Sequence, residues 1–167
     1  MSTVTSEHFG ELELNHGLQH CFRTAHAVHG MPVELELNFT AHDKADQAAV
    51  HKVDFRLRYL PDVVDQVREL LVQELSLEDS PVREYRHFHC QGLSTEQLRQ
   101  IFGVTAPEDL SDELFIKALT LGHVGIFPAQ PERYFVLDLS LGRAFTDEVL
   151  IVTADADGVL DDEIVWA

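Results

Sequence analysis

Two histidines and a cysteine lie within four positions of one another in the stretch EYRHFHCQG, residues 84–92. Imidazole and thiolate groups bind transition metals and take part in nucleophilic catalysis. Successive residues of a helix turn by about 100°, so His87 and His89 would point roughly 200° apart and could not hold one ion. His87 and Cys90, three positions apart, would share a face. Two ligands are fewer than a zinc site needs, so the stretch predicts the end of an ordinary helix.

A second group of histidines lies in the run HGLQHCFRTAHAVHG, residues 16–30. His20 and His26 are an even number of positions apart, so a strand would place both on one face. A metal site on that strand is one interpretation, and partly exposed imidazoles that titrate near pH 6 are the favoured one. No metal or cofactor is predicted. If a metal were bound, His87, Cys90, His20 and His26 would be the candidate ligands.

The acidic run DADGVLDDE, residues 155–163, has the composition of a calcium-binding loop. With Gly158 at the sixth position of such a loop, the first and twelfth positions would be Thr153 and Ile164. Neither residue supplies the carboxylate that those positions require. A hairpin whose tip is Asp157-Gly158 accounts for the same residues, and this is the structure that we predict.

Asp138 is an acid inside an otherwise apolar strand, YFVLDLSL. It could act as a general base if it were desolvated, or form an ion pair with Arg133 or Arg143. The chain contains no Gly-x-Ser-x-Gly elbow, no glycine-rich phosphate loop and no His-Glu-x-x-His pair. On this evidence an enzyme is not favoured, although a catalytic site can also assemble from scattered residues.

The charge balance limits the classes of partner. The 167 residues include 29 acidic and 12 basic side chains, a formal net charge of −17. Nucleic acids and anionic membranes both attract cationic proteins, so neither partner is predicted. A solvated acidic surface with no partner is the favoured interpretation of this charge. If a partner exists, a basic protein is the one that such a charge favours, because electrostatic attraction speeds the encounter.

Cysteine content and length bear on compartment and domain count. The two cysteines, Cys21 and Cys90, provide no disulfide framework. The opening residues lack the basic and apolar segments of a secretory leader, and no apolar run is long enough to cross a membrane. We therefore expect a cytoplasmic protein that forms a single domain over residues 1–167.

Strict alternation predicts strands at the amino terminus. In VELELNFT, residues 33–40, apolar side chains alternate with Glu34, Glu36 and Asn38, which indicates one buried and one solvated face. GELELN and FRTAHAV are the other two predicted strands of this region, and His29-Gly30 forms the turn between the second and the third.

Apolar residues then recur every three or four positions, which predicts helices. The first follows Asp43, expected to cap it, and the second begins near Pro61 and carries a stripe of Val64, Val67 and Leu71. Ser80-Pro81 begins a third helix that ends at Gly92, and Ser94 with Gln97 forms a capping box for a short fourth. SDELFIK is a further helical turn.

The residues from Ala118 onward predict strands, and the last two of these form the hairpin around Gly158. The order is βββ-ααα(α)-ββββ. It predicts an α+β fold in which about seven strands form an antiparallel sheet, with three to four helices from the middle of the chain on one face.

From Phe115 onward the chain resembles the bacterial domain-of-unknown-function family two-thousand-and-four. Shared features are a Gly-Ile-aromatic-Pro strand, an aromatic strand ending in Asp, a Gly followed by a Thr-Asp pair, and an acidic hairpin. In this chain they are residues 125–128, Asp138, Gly142, Thr146, Asp147 and Gly158. The resemblance implies an α+β fold and a bacterial origin, and it implies no catalytic residue.

Three hypotheses for function follow. The first is a non-enzymatic acidic binding domain that caps a basic partner, as immunity proteins cap toxins; that analogy is one of fold and charge alone. The second is a histidine-based metal-binding protein or enzyme. The third is a structural subunit of a homo-oligomer, with Trp166, Phe135 and Phe127 forming an apolar strip on the outer face of the sheet.

Overall fold

The alternating and helical patterns produce eight strands and five α-helices. A computed structural model describes residues Met1–Ala167. The strands are β1 (Ser2–Ser6), β2 (Gly10–Leu14), β3 (His20–Val28), β4 (Met31–Phe39), β5 (Thr120–Ile126), β6 (Phe135–Ser140), β7 (Leu150–Ala154) and β8 (Val165–Trp166). The helices are α1 (Gln47–Leu57), α2 (Leu60–Leu75), α3 (Pro81–Cys90), α4 (Thr95–Phe102) and α5 (Asp112–Ala118). None of these helices combines the length and the apolar character needed to cross a bilayer.

The strands form two sheets. β1 and β2 pair as an antiparallel hairpin, and the other six form a sheet in the order β3-β4-β5-β6-β7-β8. The predicted α+β class is confirmed. The prediction of an all-antiparallel sheet is wrong at one position, because β4 and β5 run parallel. All five helices lie in the chain between these two strands, and such a long crossover returns the chain to the end of the sheet where β4 begins.

The six-stranded sheet has one apolar and one polar face. On β4, Leu35 and Leu37 are fully buried and belong to a core of 38 apolar residues shared with the helices. Their neighbours Glu34 and Glu36 project to the opposite side, which the helices leave uncovered. We call this second side the open face of the sheet.

The amino-terminal hairpin contains a strand that the alternation did not predict. β1 buries only Val4 and Ser6, so its apolar signal is too short to detect, yet it pairs with β2 along its whole length. The hairpin adds Val4, Leu12 and Leu14 to the core. The predicted turn between β3 and β4 is confirmed: His29 and Gly30 both have positive φ, at 49° and 76°.

The capping residues define where the helices begin. Asp46, not Asp43, caps α1 by accepting a hydrogen bond from the backbone N–H of Ala49. Asp43 instead accepts hydrogen bonds from Thr40 and closes the turn after β4, so the predicted cap was three residues early. The capping box of Ser94 with Gln97 is present.

The carboxyl-terminal hairpin is less regular than predicted. The returning strand is only Val165–Trp166, because Asp155 and Asp161 use their side chains to close turns in the preceding loop. The predicted apolar strip does not form. Phe135 is buried in the core, and Trp166 packs against the rings of Tyr85 and Phe88 on α3.

Candidate functional site

The two histidines of α3 lie on opposite faces of the helix, as their spacing predicts. His87 is exposed and Cys90 half-buried, and both line a surface groove of about 520 Å³ together with Arg83 and Arg86. His89 points into the core, where its Nδ1 donates a hydrogen bond to the carbonyl oxygen of Tyr85 at 2.8 Å. The one other side chain in this groove that could bind a metal with His87 and Cys90 is Asp112, and Asp112 forms an ion pair with Arg86.

We expect the two thiols to differ strongly in reactivity. Burial raises the pKa of Cys90 to about 11, whereas Cys21 is exposed on β3. Because the thiolate is the reactive form, labelling of the native protein with an aromatic disulfide at pH 8 should modify Cys21 at least tenfold faster than Cys90. In the Cys21→Ser variant only the slow labelling of Cys90 remains to be measured. Equal rates for the two cysteines would contradict this environment for Cys90.

The histidines of β3 do not form a site. His20 and His26 share a strand face, but six residues of strand separate them by about 20 Å. His20 hydrogen-bonds to the backbone of Asn15 and stacks on the ring of Phe22. His26 packs edge-on against His8 with 5.4 Å between ring centroids. The four candidate ligands named from the sequence therefore do not converge.

A buried carboxylate, imidazole and hydroxyl meet where the β1–β2 turn contacts α1. Asp54 accepts hydrogen bonds from the hydroxyl of Ser6 at 2.7 Å, from Nδ1 of His8 at 2.8 Å and from the backbone N–H of Glu7 at 2.8 Å. In a hydrolytic triad the serine bonds to the imidazole, not to the acid. Here both donors bind the same carboxylate and Ser6 is buried, so the cluster anchors the hairpin.

A second polar cluster lies on the open face and was not predicted. His123 on β5 stands between Glu34 on β4 and Asp138 on β6, directly opposite both in the strand registers. Its Nε2 lies 3.4 Å from an oxygen of Glu36 and 4.0 Å from an oxygen of Glu34, and its Nδ1 lies 3.5 Å from Asp138. The imidazole therefore has carboxylates on both sides.

The electrostatics of this cluster favour a bound positive charge. The hydrogen bond to Asp138 raises the pKa of His123 above its ordinary value, against the effect of burial, and Glu36 adds to the rise. Burial alone would raise the pKa of Glu36. Hydrogen bonds from His123 and Asn38 and attraction to Arg23 instead hold that pKa below its usual range.

A groove of about 410 Å³ adjoins the cluster, between β5, β6 and the loop before β7. Its lining includes His123 and four of the positions that carry the family resemblance. These four are Asp138, Gly142, Thr146 and Asp147. Gly158 lies elsewhere, beside Val63 of α2. Polar and charged side chains make up most of the lining, and Arg143 is its basic residue outside the His123 cluster.

Comparisons with protein-family models, with curated proteins and with solved structures gave no match to this chain. The resemblance to the domain-of-unknown-function family therefore stays a prediction. What the geometry provides is a partly buried array of carboxylates around one imidazole on three neighbouring strands, with a polar groove beside it. Such an array can bind cations, whether the cation is a side chain of another protein or a metal ion.

The sequence contained only part of the signal for this cluster. The alternation on β4 correctly placed Glu34 and Glu36 on the solvated face. His123 carried no comparable signal, since it lies in an apolar run interrupted by glycines. Its contact with the two glutamates depends on the parallel pairing of β4 with β5, which joins residues almost ninety positions apart.

Proposed function

We propose that this protein is a cytoplasmic, non-enzymatic binding domain that engages a basic protein through the open face of its sheet. One observation carries the proposal. Glu34, Glu36 and Asp138 stand together at the centre of that face, on strands that hold them rigidly. The net charge of −17 supports it, because the field of the whole chain attracts a cationic partner toward any acidic face.

The open face suits an arginine- or lysine-rich partner. Glu36 is only 18% exposed, so its carboxylate has already lost much of its hydration on folding and loses little more when a partner cation binds. Arg23 forms an intramolecular ion pair with Glu36, and its Nε lies 2.9 Å from a carboxylate oxygen. The Arg23 side chain is 65% exposed, so a basic side chain of the partner can displace its guanidinium from Glu36.

The other polar clusters support binding over catalysis. Ser6 is buried against Asp54 with no solvated nucleophile beside it, and the raised pKa of Cys90 keeps its thiol protonated at neutral pH. The resemblance to the domain-of-unknown-function family, like the analogy with immunity proteins, is compatible with a binding role. Neither identifies the partner.

Charge reversal on the open face tests the proposal. A basic protein recovered from the native host at low salt is purified, and its dissociation constant is measured with the wild type and with Glu34→Lys/Glu36→Lys. We expect at least a tenfold loss of affinity, because the variant places cations opposite the cations of the partner. The matched control is Glu74→Lys/Glu78→Lys, which changes the net charge equally on the helical side.

The control should lose less than about threefold, and wild-type binding should weaken steeply with added salt. An equal loss in both double variants would mean that affinity follows net charge and not the open face. Failure to recover any basic protein at 20 mM salt would also contradict the proposal, whereas recovery alone does not support it.

A further inference from the structure

We propose that Glu34, Glu36 and His123 bind a divalent transition-metal ion of the Zn²⁺ class on the open face. One ligand atom from each side chain lies within 4.8 Å of the other two. These atoms are an imidazole nitrogen and two carboxylate oxygens. The inference goes beyond the binding of a basic protein, and either one can hold without the other.

The strand pairing places these ligands on a rigid base. Glu34 lies directly opposite His123 in the parallel ladder of β4 and β5, and Glu36 follows two residues later on the same face. Side chains directly opposite one another on neighbouring strands have Cβ atoms about 5 Å apart, which brings their ends within reach of one ion. The backbone of the site therefore needs no rearrangement to bind.

Asp138 distinguishes this group from a chance set of surface acids. It comes from a third strand, β6, and approaches Nδ1 of His123, which leaves Nε2 directed toward the two glutamates. Histidines that bind metals usually donate their second ring N–H to a carboxylate, which sets the tautomer and the orientation of the ring. Asp138 is therefore a positioning residue for the ligand His123.

The ligand chemistry favours zinc over calcium or magnesium. Calcium and magnesium prefer oxygen ligands alone, whereas an imidazole nitrogen with two carboxylates suits Zn²⁺ and its neighbours. Zinc–ligand bonds of about 2.0–2.2 Å require the three side chains to draw inward by about 1 Å. Glu34 is half exposed and free to do so, and solvent can supply the fourth ligand.

Arg23 competes with a metal ion for the same carboxylate. Its Nε donates to the oxygen of Glu36 that also faces His123. A metal bound there must displace the guanidinium, which is mostly exposed and has no other acidic partner. Removal of Arg23 should therefore tighten metal binding, an effect that a merely structural role of Glu36 would not produce.

The test uses the full chain without a histidine tag, stripped with EDTA and titrated with Zn²⁺ at pH 7.5 in a calorimeter. We expect about one equivalent of tight binding per chain, and a loss of at least tenfold in affinity for His123→Gln. Glu34→Gln should behave likewise, and Arg23→Ala should bind about threefold more tightly. His87→Gln, an exposed histidine on α3, is the matched control and should leave the constant unchanged.

Three results would overturn the site. These are uptake of less than about a tenth of an equivalent, equal binding by wild type and His123→Gln, and an equal loss in His87→Gln. An Arg23→Ala variant that binds no more tightly would place the ion away from Glu36 and contradict the ligand set. If His123→Gln fails to fold, Glu34→Gln decides the question, since Glu34 is exposed and has no other ion pair. No partner protein is present, so the result is independent of the proposed function.

Discussion

The Asp54→Ala variant is expected to lose about 3 kcal/mol of the free energy of unfolding. Asp54 is buried and satisfies the hydroxyl of Ser6, the imidazole of His8 and the backbone N–H of Glu7. Alanine would leave these donors without their acceptor, and the hydroxyl of Ser6 is buried, so water cannot readily replace the carboxylate there. The β1–β2 hairpin should detach from α1 first, because Asp54 provides its main polar contact with that helix.

Urea unfolding measured by circular dichroism gives this free energy. The matched control is Glu69→Ala, an exposed carboxylate on α2 that makes no ion pair, and it should change the stability by less than about 0.5 kcal/mol. A loss below about 1 kcal/mol for Asp54→Ala would show that the hairpin does not depend on this carboxylate.

The same residue should make folding sensitive to acid. Burial alone would raise the pKa of Asp54, but hydrogen bonds from His8, Glu7 and Ser6 outweigh it and hold the pKa below its ordinary value. A depressed folded-state pKa contributes stability that is complete above the unfolded value of about 4 and is lost as pH falls through the folded value. Between pH 4 and pH 2 the wild type should therefore lose stability more steeply than Asp54→Asn.

Local signals in the chain were enough for the helices. The capping box at Ser94, the proline near the start of α2 and the apolar stripe through Val67 and Leu71 all act within one or two turns. The wrong prediction that Asp43 caps α1 also comes from reliance on local sequence. A carboxylate before a helical pattern can cap the helix or close the preceding turn, and the local sequence does not distinguish these.

Sheet pairing depends on contacts that no local pattern encodes. The alternation in β4 correctly predicted which side chains are buried, but not that β5 would join it in parallel after five helices. The His123 cluster exists only because of that pairing. Asp138 is conspicuous in the sequence as an acid in an apolar strand, but its pairing with an imidazole on β5 depends on the strand register.

Replacement of His89 on α3 should cause the second large loss of stability. His89→Ala should lose about 3 kcal/mol of the free energy of unfolding, because a buried ring and two hydrogen bonds disappear together. The ring of His89 lies 4.0 Å from that of Tyr85, and its Nε2 lies 3.0 Å from the hydroxyl of Thr146. Through Thr146, His89 connects α3 to the loop that borders the groove beside His123.

His87→Ala is the matched control two positions earlier on the same helix, and it should change the stability by less than about 0.5 kcal/mol. Denaturant unfolding of both variants gives the comparison, and a double-mutant cycle of His89→Ala with Thr146→Val should show a coupling of about 1 kcal/mol. Hydrogen exchange around Thr146 should speed up in His89→Ala alone, because only that variant removes the side chain of α3 that contacts Thr146, while Tyr85 still binds the carbonyl of Glu148. Equal stabilities for the two histidine variants would mean that these imidazoles do not occupy opposite environments. Zero coupling would mean that the contact between His89 and Thr146 contributes nothing to stability.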